Sequence, residues 1–556
     1  MNERKSSPAS LQSSESAVAQ AVNVSKYIAA SSTLHPPQEL QRGVSIASTL
    51  ASPFNNLFAK LPDRLDREDR ERLYERSRPV CAIDSFISHA WRSEGWSKWM
   101  ALALHEVGLA PLVVGIVVSL LMGHLQRSVE LPGNIRTRWT AESPSVLIAS
   151  PWEYVAGLIA ATASVFVWLA AQRQRSYFVD AACIHQTNRA LKTQGIRHLA
   201  GFVAMSSQLV VLWDEHYFSR LWCVYELAMY RAIHPNRPVT FLPLRSAVFV
   251  IVATAAGAVG LFVILLVVML LYHGDLTGSM HNPSGEIVVM GDDFWKSTMP
   301  MLAALLFVLF FLIYVGITLF GASMALQRIA LQQHLESFDV RVAGCYSATD
   351  RDEICSAIGA IYVRRGTDGL DAFNHMVRTQ LKEQVLQRVS GSTTLYSNLL
   401  SLSLPAFCLS GGVSAWFRET STFTQVIYFM FACPFMLAWT PSSFVIGLQR
   451  GERLARSSNQ PDLQSFVCRA SVAIAFSAAR GAAECAFFGY WPPMLLIGAS
   501  EWPDAFPEAG PLGLVNVPAQ ARRASVLTLM SLWSIAGICL ARRTFRPRAI
   551  IGAGSS

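Results

Sequence analysis

Two uninterrupted apolar runs, 247–272 and 300–323, constrain this chain more than any other feature. A helix of about 20 apolar residues crosses a bilayer core, and only segments that satisfy their own backbone hydrogen bonds are stable there. Both runs therefore predict transmembrane helices. Shorter apolar stretches at 107–123 and 155–171 predict a transmembrane hairpin. Further spans are expected at 395–416, 423–447, within 470–499 and at 524–541. The expectation is an integral, multi-pass protein of about eight spans, with the lipid bilayer as its first partner. Composition agrees: 52% of the 556 residues are hydrophobic and 15% charged, against about 25% charged in soluble domains.

Loop charge supplies the orientation. The stretch 172–246 carries nine Lys/Arg against four Asp/Glu, whereas 273–299 carries one Lys against four acids. Loop 501–519 has three acids and no base, and the tail 542–556 is basic. By the positive-inside rule 172–246 and both termini are cytosolic, which an even number of crossings permits. The net charge of +8 comes from such loops. No Lys/Arg block is interleaved with aromatics, so nucleic acid is not expected as a partner.

Outside the spans, residues 1–62 are serine-rich without a long apolar run and predict a disordered segment. Residues 63–80 mix acids and bases evenly and predict a charged helical linker. Residues 326–392 predict a cytosolic helical segment, 247–325 a transmembrane pair, and 393–541 a C-terminal transmembrane bundle. The ten cysteines form no CxxC pair, and no metal site is expected. Inside 470–499, Arg480 and Glu484 stand four residues apart and share a helix face. Charges within a span usually face a pathway or a partner helix, so this pair supports a second reading of the whole chain as a channel or transporter.

The remaining stretches, 81–106 and 172–246, alternate strand-like and helical patterns. CAIDSFISHAW (81–91) and SYFVDAACIHQ (176–186) read as strands ending in polar turns; LVVLW (209–213) and PVTFLPL (238–244) follow the same pattern. Helical segments lie between them. Strands alternating with helices predict a parallel sheet wrapped by helices, with ligands at the carboxyl ends of the strands. The hairpin 107–171 would interrupt this α/β domain as an insertion. Within its last helix, RLWCVYELAMYRA, Glu226 poses the functional question, because a glutamate there is either a solvated charge or a carboxylate placed for chemistry.

FISHAW, FVD, LVVLW and above all YFSRLWCVYEL resemble the Toll/interleukin-1 receptor (TIR) domain, over 81–101 and 172–244. The resemblance implies a flavodoxin-like α/β fold joined here to a polytopic α-helical membrane domain. In TIR domains that cleave NAD, the glutamate of the WC-x-x-EL motif is catalytic, and that role falls on Glu226. Ser88, His89 and Trp91 would border the cleft, Asp180 would open the gating loop, and Trp222 and Cys223 would pack the helix start. NAD would be a substrate, with no resident cofactor, and TIR–TIR self-association would serve signalling. The sequence departs from the family in its inserted hairpin and in lacking a fifth strand before 247. As a cleft carboxylate, Glu226 is expected to tolerate replacement by alanine at a cost of only about ±0.5 kcal/mol.

Overall fold

The computed structural model describes residues 35–389, apart from 52–55, 59–64, 127, 130, 133–134, 139–146, 173, 238, 274–287, 290–298 and 364–366, together with 404, 405 and 408. In chain order its elements are β1 (Arg42–Ser45), α1 (Ile46–Leu50), α2 (Arg67–Glu75), β2 (Arg78–Pro79), β3 (Ile83–His89), α3 (Gly95–Val107), α4 (Ala110–Leu125), β4 (Ile135–Arg138), β5 (Leu147–Ala149) and α5 (Trp152–Ala171). There follow β6 (Ser176–Phe178), α6 (Asp180–Cys183), α7 (Arg189–Arg197), α8 (Leu199–Met205), β7 (Ser206–Trp213), α9 (Leu221–Ile233), β8 (Val239–Pro243) and α10 (Leu244–His273). The described chain closes with β9 (Val288–Val289), α11 (Met299–Glu336), α12 (Ala348–Tyr362), α13 (Gly369–Met376) and α14 (Lys382–Val389). The chain divides into two compact units, one of residues 1–107, 167–248 and 327–391, the other of 108–166, 249–326 and 392–556.

The first unit is built on a six-stranded sheet in the order β2-β1-β6-β3-β7-β8. The strands β6, β3, β7 and β8 are parallel. Apart from Asp84, every residue of β3 is buried, and β7 is buried from Leu209 to Trp213. A near-continuous apolar run is what a strand covered by helices on both faces requires. The sheet is mixed rather than parallel throughout, because β1 runs antiparallel to both β6 and β2. That side of the sheet corrects the reading of 1–62 as disordered for residues 42–50, which supply β1 and α1 and bury Val44, Ile46 and Leu50, while 1–34 lie outside the described residues. Residues 63–80, expected as a charged helical linker, do hold the helix α2 but belong to this unit. Leu73 of α2 is buried, Thr187 donates a hydrogen bond to Glu71, and β2 belongs to the sheet.

Taken in order of appearance, the four parallel strands lie 2-1-3-4 across the sheet. The chain leaves β3 toward β6 on one side and returns to β7 on the other. In open α/β sheets this reversal opens a crevice at the carboxyl ends of the two central strands, here beyond His89 and Trp213.

The hairpin insertion is accommodated by one carboxylate. At the end of α3, Glu106 accepts from Arg175 at 3.0 Å and from the Tyr177 hydroxyl, while its backbone carbonyl accepts from Trp168 Nε1 at 2.8 Å. The points where the chain leaves and re-enters the unit are thereby tied together, and the sheet keeps its register.

In the second unit α4 and α5 approach through small residues. A Cβ on Gly115 would lie 3.1 Å from the Gly157 carbonyl oxygen, and one on Gly157 would lie 3.1 Å from Ser119 Cβ. Close backbone approach of this kind is how helices associate in lipid. The expected span at 107–123 is interrupted near its start: Gly108 adopts φ 57°, the helix restarts at Ala110 with Pro111 in its first turn, and α3 with α4 is long and apolar enough to cross a membrane only as a bent pair. Among the described residues two helices are long and apolar enough to cross a membrane, Trp152–Ala171 and Leu244–Val267. The run 300–323 lies inside the 38-residue α11. Ile159, Phe166, Val259 and Leu312 are exposed, an apolar surface suited to lipid rather than water. Apart from 404, 405 and 408, the spans expected after 393 lie outside the described residues, as do Arg480, Glu484 and the tail 542–556.

Candidate functional site

Because successive strand residues point to opposite faces, the last residues of β3 divide between the two sides of the sheet. Ser88, fully buried, meets α9. Its Oγ lies 2.5 Å from Glu226 Oε2 and 2.8 Å from the Tyr217 hydroxyl. Tyr217, in the turn after β7, reaches the Cys223 carbonyl at 3.2 Å. These groups form a relay with two complete proton arrangements. With Glu226 protonated, hydrogen bonds run from the carboxyl to Ser88, on to Tyr217 and then to the Cys223 carbonyl. With Glu226 ionised, Ser88 donates to it and Tyr217 donates to Ser88. The network can gain or lose a proton at the carboxyl and still leave Ser88 and Tyr217 hydrogen-bonded.

Burial decides which arrangement rests. Desolvation pushes the Glu226 carboxyl up to about 8, the hydrogen bond from Ser88 opposes the shift, and the charge of Asp180 adds to it. At neutral pH the carboxyl is therefore protonated. Alanine at 226 would remove one hydrogen bond from the buried Ser88 hydroxyl, which keeps Tyr217 at 2.8 Å, at about 0.5–1.5 kcal/mol. This corrects the expectation of a near-neutral substitution.

Asp180 opens α6 directly after β6. Its carboxylate accepts from Trp91 Nε1 at 2.8 Å and from the Ala181 N–H at 2.7 Å. Burial raises its pKa, while these two bonds and Lys98 oppose the rise. Trp91 is thus tied to the group expected to begin the gating loop. His89 is buried on the other side, its ring edge-on to Phe58 with centroids 5.7 Å apart. Desolvation, and then the charge of Lys98, hold its pKa well below the usual histidine value. It stands as a neutral core residue, and only its backbone carbonyl, which accepts from Cys223 Sγ at 3.4 Å, joins the cluster. Cys223 is buried and its thiol is pushed well up by desolvation, so it packs the helix and is a poor nucleophile. Trp222 is half-buried, with its ring edge-on to Tyr225 at 5.9 Å. No hydrogen bond links it to Ser88 or Glu226.

Three further residues belong to this end of the sheet, two of them outside any motif. Lys98 of α3 has no exposed surface, and its Nζ has no hydrogen-bond partner. Burial lowers it to about 8 against the opposing charges of Asp180 and Asp214. Asp214, just after β7, accepts from the Ser93 hydroxyl and from the His216 N–H at 3.0 Å. Tyr217 lies within the YFSRLWCVYEL stretch, where only the fold shows its contact with Ser88. For Lys98 a signal existed, since it precedes the buried Ala101 and Leu102 by three and four residues and so falls on the apolar face of its helix.

Among the described residues no cluster of His, Cys, Asp and Glu has the grouping needed to hold a metal ion. No known protein family, curated protein or solved structure matches the chain.

Proposed function

We propose that the α/β unit is a TIR-like domain of flavodoxin-type strand order, held at the cytosolic face of a multi-pass membrane protein, and that it signals by cleaving the nicotinamide–ribose bond of NAD. The observation that carries this reading is the Glu226 carboxyl set against Ser88 in the crevice between β3 and β7. In the reaction the C1′–N bond breaks and its electron pair leaves with nicotinamide. Water adds its hydroxyl to C1′, and one proton is released. Positive charge gathers on the ribose as the bond lengthens, and a carboxylate beside it stabilises that charge in a site of low dielectric. A carboxyl resting near pH 8 ionises when the cationic nicotinamide riboside is brought against it, and Ser88 then turns to donate. The charge appears where and when the transition state uses it. Self-association of TIR-like domains would gather such units in the membrane.

The test is nicotinamide release by the purified full-length protein in lipid nanodiscs and in clustered vesicles. Release by the wild type and its loss in Glu226→Ala, with the variant's fold verified by hydrogen exchange, are expected. Equal release by both proteins refutes the role of Glu226, and none from clustered wild type refutes cleavage. The second of these results would leave the domain as an assembly module.

A further inference from the structure

The helix that carries Glu226 has no side-chain cap. Its flanking residue is Arg220, in an extended conformation and making no capping bond. An α-helix begins with four N–H groups that find no partner within it. Here a partner comes from more than a hundred residues away. The Leu221 N–H donates to the Gly344 carbonyl at 3.0 Å, and the Gly344 N–H donates to the Ser219 carbonyl at 2.8 Å. Together they form a short parallel bridge between Arg220 and Gly344. The Arg220 guanidinium lies over the Tyr346 ring, 4.5 Å from its centroid. A carbonyl oxygen at this position also meets the positive end of the helix dipole. Glycine suits the place, since a Cβ at 344 would stand only 3.2 Å from the Ser219 oxygen.

The stretch that provides the cap is itself firmly held on its other side. Phe338 and Val340 are buried. The Val340 N–H donates to Asn374 Oδ1 at 2.9 Å, and Arg378 Nε donates to the Phe338 carbonyl at 2.7 Å. Arg341 bonds Asp371 at 2.7 Å. Further along α9, the Tyr362 hydroxyl donates to the Ala228 carbonyl at 2.9 Å. The helix bearing Glu226 is thus gripped at its first turn and again past its middle by residues beyond α11.

We infer that Phe338–Tyr346 is a strap that caps α9 and positions Glu226 against Ser88. Cys223, whose carbonyl receives the Tyr217 hydroxyl, lies in the turn that the strap caps, and Glu226 lies in the next. Opening the bridge frays that turn and takes both groups out of register with Ser88. What the positioned carboxyl does rests on the reading given above; the capping itself rests on the bonds just described.

Hydrogen exchange followed by mass spectrometry, on the full-length protein in nanodiscs, tests the strap without reference to activity. Tyr346 is 71% exposed, so Tyr346→Ala removes the cation–π contact without opening the core. A contact of about 0.5–1 kcal/mol predicts exchange about 2–5-fold faster over 219–226. Gly344→Pro deletes the N–H of the bridge where Ala343 already has ψ 137°, a conformation that proline accepts, and predicts exchange about tenfold faster there. Tyr346→Phe keeps a ring and stays at the wild-type rate. Unchanged exchange over 219–226 in both disruptive variants, or faster exchange over the whole α/β unit, overturns the inference. Nicotinamide release measured in parallel should fall in kcat rather than rise in KM. If exchange behaves as stated and the wild type releases no nicotinamide, the strap stands and the proposed reaction fails.

Discussion

Glu226→Gln isolates the cost of keeping an ionisable group in the crevice. In the unfolded chain the carboxyl releases its proton near 4.5, whereas in the fold it holds the proton up to about 8. Between these values the folded state binds more protons than the unfolded one, so wild-type stability falls as pH rises and the loss is complete near pH 8. Glutamine keeps the shape and a hydrogen bond to Ser88 and does not titrate. At pH 7 the interval of 2.5 units, at about 1.36 kcal/mol each, gives an upper bound of about 3 kcal/mol. Glu226 keeps some surface, and screening through it reduces this to about 1–2 kcal/mol. Glu226→Gln should therefore melt about 2–8 °C above wild type at pH 7, using about 2–4 °C per kcal/mol for domains of this size.

The assay is thermal unfolding in detergent, followed by intrinsic fluorescence, from pH 5.5 to pH 8.5. At pH 5.5 the gap should be about two-fifths of its value at pH 7, and it should widen to its full value near pH 8. Parallel pH profiles, or a variant that melts below wild type at pH 7.5, would show that the carboxyl is solvated and ionised at rest. The relay through Ser88 and Tyr217 would then be wrong.

The same acidity predicts the kinetics: if ionised Glu226 stabilises the transition state, kcat/KM for NAD rises with pH and levels off above about 8, and a profile already flat at pH 6.5 contradicts it. Lys98→Met should raise the melting temperature at pH 7, because burial of the ammonium outweighs its attraction to Asp180 and Asp214; the gain should shrink between pH 8 and 10 as the folded lysine discharges before the unfolded one, and a gain independent of pH would attribute it to packing. Tags at residues 1 and 556 should be reachable from the cytosol only and a tag at 285 from outside, the reverse pattern overturning the orientation drawn from loop charge.

How far the sequence exposes this architecture varies with the range of each interaction. The four parallel strands are legible because each carries its own apolar run: FIS in β3, SYF in β6, LVVLW in β7 and VTFL in β8. β1 is not, because RGVS lies in a serine-rich stretch and a strand of four residues has only Val44 as a buried side chain. The motif leads to Glu226 and its neighbours in the chain, but its 2.5 Å contact with Ser88 joins residues 138 apart, and local pattern carries no trace of that pairing. Lys98 is intermediate, legible as a charge on an apolar face but not as the countercharge of Asp180 and Asp214. The cap on α9 is least legible of all. Arg220 at the helix start signals only that no side chain can do the capping, and Gly344 looks like any loop glycine until the fold brings its carbonyl to Leu221. The insertion between α3 and β6 follows the same logic in reverse. A membrane hairpin there looks incompatible with a continuous sheet, yet Glu106, Arg175 and Tyr177 reconnect the chain ends, so β3 and β6 pair as though the link were short. The local signals choose the elements, and a few long-range polar contacts set whether those elements assemble into a site.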